Sequence, residues 1–216
     1  MRRTRLKVCC IASADEARVA VAAGADALGL VARMPSGPGP IPDGLIRAIA
    51  ATVPPPVATF LLTSEVDPDA VVAHARGTGV STVQLVDDAV DPDVYRALRS
   101  ALPALKVVQV VHIVDAGSVE RALRAAPLVD ALLLDSGNPA ARELGGTGRV
   151  HDWSLSREVV RRSPAPVFLA GGLSAGNVAR AVAQVEPFGV DLCSGVRTNG
   201  RLDEGKLRGL VAALAG

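Results

Sequence analysis

Two side chains that could take part in proton transfer stand where apolar runs end. Cys9 closes the run LKVC near the start of the 216-residue chain, and Cys10 follows it directly. Asp135 closes a second run, ALLLD. A thiol and a carboxyl group at the ends of separate strands can divide the roles of general base and general acid. Free cysteines are also common as core residues and aspartates as turn caps, so neither residue alone indicates a catalytic site.

Three glycine-bearing joints form a second candidate site. They read GGTG at 145–148, AGG at 170–172 and SG at 194–195. Glycine lets a backbone approach a ligand closely, and free backbone amides at helix starts attract anions. Each joint alone is explained as well by a tight turn, but the three together favour a phosphate-binding site.

Composition limits the class of partner and the compartment. Lysine and arginine number 23 against 22 acidic residues, so no strong field selects nucleic acid or an anionic membrane, and the expected partner is a small molecule. Adjacent Cys9 and Cys10 do not close a relaxed disulfide, because neighbouring Cα atoms are about 3.8 Å apart and a disulfide needs about 4.4–6.8 Å. With no export signal and no apolar run near the roughly 18 residues of a membrane span, a cytoplasmic protein with free thiols is predicted.

Short runs rich in Val, Ile and Leu alternate with helical segments along the whole chain. Strands are predicted at about 6–11, 26–32, 57–62, 80–86, 105–113, 128–135, 166–170 and 188–194. Helices are predicted near 13–23, 43–51, 67–77, 92–101, 115–125, 153–162, 175–184 and 203–214, several of them opened by cap-type residues, namely Ser13, Asp43, Ser174 and Asp203. Eight strand-helix units predict one (β/α)₈ barrel domain over residues 1–216, whereas a doubly wound open sheet would use fewer strands.

In a barrel of this kind the segments that follow the strands build the active site. The irregular pieces RMPSGPGPI and SGNPAARELGGTGRVH follow the second and sixth strands. The AGG and SG joints follow strands seven and eight, where barrels often hold a phosphate. Cys9, Asp135 and the glycine joints are therefore expected at one mouth.

Taken in order, the motifs resemble those of phosphoribosylanthranilate isomerase, the barrel enzyme of tryptophan biosynthesis. They are KVCC, GADALGLV, VQL, LLLD, GGTG followed by DW, FLAGGL with NV, and GVDLCSGV with DEGKL. The resemblance implies that Cys9 is the general base and Asp135 the general acid of an Amadori rearrangement. It implies no cofactor and no metal, because the substrate's own imine accepts the electrons. Cys10 occupies the family's glycine position and is interpreted as structural.

The resemblance also implies a set of substrate-binding residues. They are Lys7, Gln84, Gly146, Gly148, Gly171, Gly172, Asp191, Ser194 and Gly195. The implied partner is a phosphorylated sugar substrate, bound by a monomer or a homodimer.

The chain departs from the family on the side of the aglycone. The family's Ser-Pro-Arg after the second strand reads SGPGP at 36–40, which leaves Arg33 as the nearest candidate for the substrate carboxylate. The family's Gln-Leu-His reads QLV, with Val86 in place of histidine. The family's SGVE reads SGVR, which puts Arg197 near the expected phosphate site, where it either strengthens anion binding or merely reverses a surface charge. Three hypotheses remain: the family's isomerisation, the same reaction on another N-phosphoribosyl amine, and an inactive phosphate-binding barrel. Because a mere binder does not need both Cys9 and Asp135, the sequence favours an isomerase.

Overall fold

The computed structural model describes residues 3–87, 90–137 and 150–215. Within them eight parallel strands close into a barrel in sequence order, and β1 pairs with β8. The strands are β1 (Arg5–Val8), β2 (Ala27–Val31), β3 (Ala58–Thr63), β4 (Thr82–Leu85), β5 (Lys106–His112), β6 (Ala131–Asp135), β7 (Val167–Leu169) and β8 (Gly189–Leu192). The helices are α1 (Ala14–Ala22), α2 (Asp43–Ala50), α3 (Pro68–Thr78), α4 (Pro92–Ala101), α5 (Gly117–Ala125), α6 (Trp153–Arg162), α7 (Val178–Val185) and α8 (Glu204–Ala215). The predicted (β/α)₈ barrel is confirmed.

The strands are buried on both faces, which explains their nearly continuous apolar runs. Successive side chains point alternately into the barrel and outward to the helices. The inward set forms one compact cluster that includes Phe60, Leu62, Val110, Leu133 and Phe168. The outward residues pack with the apolar faces of the helices in a second, larger cluster. The barrel is therefore a filled core, and only its mouth is open to a ligand.

The closing seam of the barrel brings a charged pair into register. Lys7 of β1 lies beside Asp191 of β8, and Val8 beside Leu192. Both charged residues share the inward parity of their strands. Residues 184 positions apart in the chain thus meet only because the sheet closes on itself.

The predicted capping residues are confirmed at two of the four positions. The Ser13 side chain accepts a hydrogen bond from the Glu16 amide, and Asp203 accepts from the Lys206 amide. α2 begins at Asp43, as predicted, but Asp43 is not its cap, because Pro42 precedes the helix and Asp43 is its first residue. In the described part of the chain, no helix combines the length and the apolar character required to cross a membrane.

The prediction of Ser174 as the fourth capping residue was wrong. The chain makes a turn there, in which the Asn177 side chain accepts from the Ser174 amide and donates to the Gly172 carbonyl. Helix α7 therefore begins only at Val178. The sequence pattern did not predict this turn, nor the antiparallel hairpin of β9 (Arg197–Thr198) and β10 (Arg201–Leu202) that separates β8 from α8.

Candidate active site

A cavity opens at the carboxyl ends of the strands. All eight strands, or the residues just after them, contribute to its wall. Its lining includes Cys9, Cys10, Val31, Ser36, Pro38, Leu62, Gln84, Val86, Val110, Asp135, Gly171, Gly172, Asp191, Cys193 and Ser194. The structure therefore brings most of the sequence-predicted site residues into one cavity.

The two adjacent cysteines differ in backbone conformation. Cys9 continues the strand, since its amide donates to the Leu192 carbonyl at 2.7 Å. Cys10 has a φ of 62°, in the left-handed region that glycine adopts most easily. This conformation explains why the position suits glycine in the related family. A side chain at Cys10 is accepted at some conformational cost, and the chain turns away from β1 there.

Gly29 on the neighbouring strand β2 makes room for the Cys9 thiol. A Cβ atom at this position would lie 2.8 Å from the Cys9 Sγ and 3.1 Å from the Lys7 Nζ. Both distances are shorter than ordinary van der Waals contact. The glycine in GADALGLV thus has a packing role that the sequence pattern alone did not reveal.

Lys7 lies beneath the cavity and is fully buried. Its Nζ donates to the Asp191 Oδ1 at 2.9 Å and stands 5.2 Å from the centre of the Phe60 ring. Burial alone would lower the pKa of Lys7, but the Asp191 carboxylate and the nearby thiols raise it above its ordinary value. The ammonium group is therefore a fixed positive charge under the cavity floor, and Asp191 is its partner at the cavity wall.

Asp135 lies at the end of β6 and lines the cavity. Burial raises the pKa of its carboxyl group, the Ser136 amide that donates to its Oδ1 at 2.7 Å opposes the rise, and the charge of Asp191 adds to it. A carboxyl group with a raised pKa keeps its proton at a higher pH than an ordinary aspartate. This is the property that a general acid requires.

Arg197 lies behind the wall of the site and is almost fully buried. Its guanidinium group pairs with Glu16 at 3.3 Å and donates to the Cys9 carbonyl at 3.0 Å and to the Cys10 carbonyl. The Leu202 amide donates to the same Glu16 carboxylate at 2.9 Å. Arg197 thus braces the turn after β1, whereas the sequence suggested either an added anion contact or a reversed surface charge.

The glycines after β7 and β8 allow the two turns to touch. Gly171 and Gly172 have φ angles of 86° and 61°. A Cβ atom at Gly195 would lie 2.0 Å from the Leu173 carbonyl oxygen, and one at Gly171 would lie 2.2 Å from the Ser136 Oγ. These approaches are possible only without side chains. The Gly171 and Gly172 amides donate no hydrogen bond to any residue that the structure describes.

Gln84 and Val86 form the wall contributed by β4. Gln84 is buried, and its Oε1 accepts no hydrogen bond from the described residues. A buried acceptor without a donor is costly unless a ligand or water satisfies it. Gln84 is therefore suited to accept a hydrogen bond from a bound molecule.

Of the predicted residues that the structure describes, Lys7, Arg33 and Gly195 are not among those that line the cavity. Arg33 is exposed at the surface and is not among the lining residues. Gly146 and Gly148 lie outside the residues that the structure describes. No lysine or arginine is found among the described residues that line the cavity.

The fold and the cavity define a (β/α)₈-barrel protein with its functional site at the carboxyl ends of the strands, the location that barrel enzymes use. The family model for N-(5'-phosphoribosyl)anthranilate (PRA) isomerase matches residues 6–213. The chain belongs to this family.

Individual relatives agree with this assignment. An N-(5'-phosphoribosyl)anthranilate isomerase from Haloferax volcanii is 41% identical over 214 residues, which cover 97% of this chain and 92% of the relative. One from Methanosarcina mazei, designated isomerase 2, is 37% identical over 94% of this chain and 90% of its own length.

Solved structures of the family superpose on the barrel. The isomerase from Pyrococcus furiosus has a TM-score of 0.82 at 26% identity, with 98% of each chain covered. A phosphoribosylanthranilate isomerase in complex with reduced 1-(o-carboxyphenylamino)-1-deoxyribulose 5-phosphate has a TM-score of 0.79 at 26% identity, again with 98% of each chain covered.

Proposed function

We propose that this protein catalyses the isomerisation of N-(5'-phosphoribosyl)anthranilate to 1-(o-carboxyphenylamino)-1-deoxyribulose 5-phosphate. Membership of the isomerase family supports the reaction type. The observation that carries the proposal is the pairing of a strand-end thiol, Cys9, with a strand-end carboxyl group, Asp135, in one cavity. An Amadori rearrangement needs both an acid and a base.

Asp135 is the proposed general acid. It donates its proton to the ring oxygen of the ribose, so that the ring opens and the anilino nitrogen forms a Schiff base with C1'. The raised pKa of Asp135 keeps this proton available. After donation, the carboxylate is held by the Ser136 amide, which prefers the charged form.

Cys9 is the proposed general base. Its thiolate removes the proton from C2' of the Schiff base, and the electron pair moves through the imine to give an enolamine. Tautomerisation with a proton at C1' then gives the aminoketone. The ammonium group of Lys7, which pairs with Asp191 under the floor, is a fixed positive charge near the thiolate. The substrate itself supplies the electron sink in these steps.

The substrate phosphate is proposed to bind at the turns after β7 and β8. The Gly171 and Gly172 amides have no acceptor among the described residues, and Ser194 and Gly195 lie against the same turn. Unpaired amides in left-handed turns form a concave anion site. Gln84 is proposed to accept a hydrogen bond from a substrate hydroxyl group with its Oε1.

A second candidate is the same isomerisation on an N-phosphoribosyl amine whose aglycone lacks a carboxylate. It is favoured by the absence of lysine and arginine from the described lining, together with Val86 and Pro38 on the wall. Carboxylates are usually bound by such cations.

The test is turnover of freshly prepared phosphoribosylanthranilate, followed by the loss of its fluorescence and by identification of the product. The proposal expects catalytic conversion to the aminodeoxyribulose phosphate. Conversion only of an N-phosphoribosyl amine without the carboxylate would support the second candidate, and binding without conversion of either compound would contradict an isomerase. Arg33→Gln then tests the aglycone side, because KM for the anthranilate substrate rises only if that exposed guanidinium group reaches its carboxylate.

A further inference from the structure

Two thiols that the proposed reaction does not use meet at the closing seam of the barrel. Cys10 follows β1 and Cys193 follows β8, and their Sγ atoms are 2.7 Å apart, although the residues are 183 positions apart in the chain. This distance is shorter than a van der Waals contact between two sulfur atoms. Because β1 and β8 are paired directly below, the two side chains are held together by the sheet itself.

The two thiols have complementary properties. Cys193 is partly exposed at the mouth, whereas Cys10 is buried. A hydrogen bond from Cys10 and the positive charge of Arg197 lower the pKa of Cys193, although its burial acts in the opposite sense. The pKa of Cys10 is raised by the same hydrogen bond. A partly exposed thiol whose pKa is lowered by a nearby cation is the kind of cysteine that oxidants attack first.

We propose that Cys10 and Cys193 form a reversible intramolecular disulfide when the protein meets a peroxide. The Cys193 thiolate attacks one peroxide oxygen, the O–O bond breaks, and hydroxide leaves, so that Cys193 becomes a sulfenic acid. The Cys10 sulfur then attacks the Cys193 sulfur, the S–S bond forms, and a second hydroxide leaves. The hydroxides take up the two thiol protons as water. Two electrons pass from the sulfur pair to hydrogen peroxide, which becomes two water molecules.

The geometry selects this pair over the adjacent pair of cysteines. Cys9 and Cys10 are adjacent, and neighbouring Cα atoms at about 3.8 Å are too close for a relaxed disulfide. The disulfide therefore leaves the Cys9 thiol free. It also fastens the first strand of the barrel to the last, which reduces the freedom of the unfolded chain across nearly its whole length.

Peptide mapping of the whole protein tests the proposal directly. Trypsin releases Cys9 and Cys10 together in peptide 8–18 and Cys193 in peptide 181–197. After treatment with hydrogen peroxide, these two peptides should be joined, with a mass lower by two hydrogens than their sum. The protein should then retain one of its three thiols, melt at a higher temperature, and recover all three thiols and its original melting temperature with dithiothreitol.

Variants identify the partners without relying on activity. Cys9→Ser should still form the cross-link, while Cys193→Ser should not. Cys10→Gly, which suits the left-handed backbone at this position, should remain folded and lose the cross-link. Three thiols remaining after peroxide treatment, a cross-link that persists in Cys10→Gly, a link between two molecules, or oxidation of Cys193 to the sulfinic acid without a link would each overturn the proposal.

Discussion

At the residue scale, Asp135 combines a cavity position with a carboxyl group whose pKa is raised by burial. We predict that Asp135→Asn lowers kcat by about 100-fold or more, because the amide cannot donate the proton that opens the ribose ring. Since burial raises the pKa of Asp135, kcat/KM of the wild-type protein should fall as the pH rises through that value. The residual activity of the variant should lack this decline. Rates measured from pH 5 to 9 provide the check, and full activity in Asp135→Asn would remove the acid from the mechanism.

At the scale of elements, strand β2 leaves the space into which the thiol of β1 fits. We predict that Gly29→Ala lowers kcat at least tenfold, because the new methyl group would displace the Cys9 Sγ and crowd the Lys7 Nζ. Gly209→Ala in α8 is the matched control, since a Cβ atom there meets nothing within 4 Å. Steady-state kinetics of both variants and their melting temperatures separate a displaced thiol from a general loss of stability.

Much of the site could be predicted from the sequence, because its residues stand where apolar strand patterns end and the carboxyl ends of barrel strands meet at one mouth. Cys9, Asp135 and the AGG and SG joints were predicted at one mouth, and all of them except Gly195 line the cavity. α2 begins at Asp43 as predicted, but Asp43 does not cap it, and the start of α7 was missed, because Asp43 and Ser174 are cap-type residues that sit in other local geometries. Nothing in the local pattern indicates which residues meet when the barrel closes.

The same limit applies to Arg197 and Cys193. A sequence read locally gives Arg197 a surface or anion-binding role, but the β9–β10 hairpin turns it inward to Glu16 and the turn after β1. Cys193 was not singled out as a site residue. Cys193 follows β8 just as Cys10 follows β1, and this could have indicated that the two residues are neighbours. The relation becomes visible only once β1 and β8 are paired.

At the scale of the whole molecule, the Lys7–Asp191 pair stabilises the closing seam. We predict that Lys7→Met lowers the free energy of unfolding by about 3–5 kcal/mol, since it leaves the Asp191 carboxylate largely buried without its partner. Arg208→Met, which breaks an exposed ion pair with Glu204, should change stability little. Urea unfolding of the two variants tests this. Equal losses of unfolding free energy would show that the buried Lys7–Asp191 pair matters no more for stability than an exposed ion pair.

The stability of the protein should depend on pH through His151, which lies just before α6. Burial lowers the pKa of His151 to about 4, and its Nε2 lies 2.6 Å from the Ser156 Oγ. Because the unfolded chain binds the proton more readily, the stabilisation is present above about pH 6.5 and is lost as the pH falls towards 4. We predict a loss on the order of 1–3 kcal/mol across this range, and a shallower loss in His151→Gln. Urea unfolding of the wild-type protein and of His151→Gln at several pH values checks this. Parallel profiles of stability against pH for the two proteins would contradict the prediction.

The central claim is that Cys9, and not its neighbour, supplies the base. The most direct measurement is the turnover of phosphoribosylanthranilate by Cys9→Ser and Cys10→Gly side by side. The hydroxyl group of serine is a much weaker acid than a thiol and cannot take the proton from C2', so Cys9→Ser should lose about 100-fold or more in kcat. Cys10→Gly fits the φ of 62° and should stay within about threefold of the wild-type rate. An active Cys9→Ser protein, or an inactive but folded Cys10→Gly protein, would contradict the assignment.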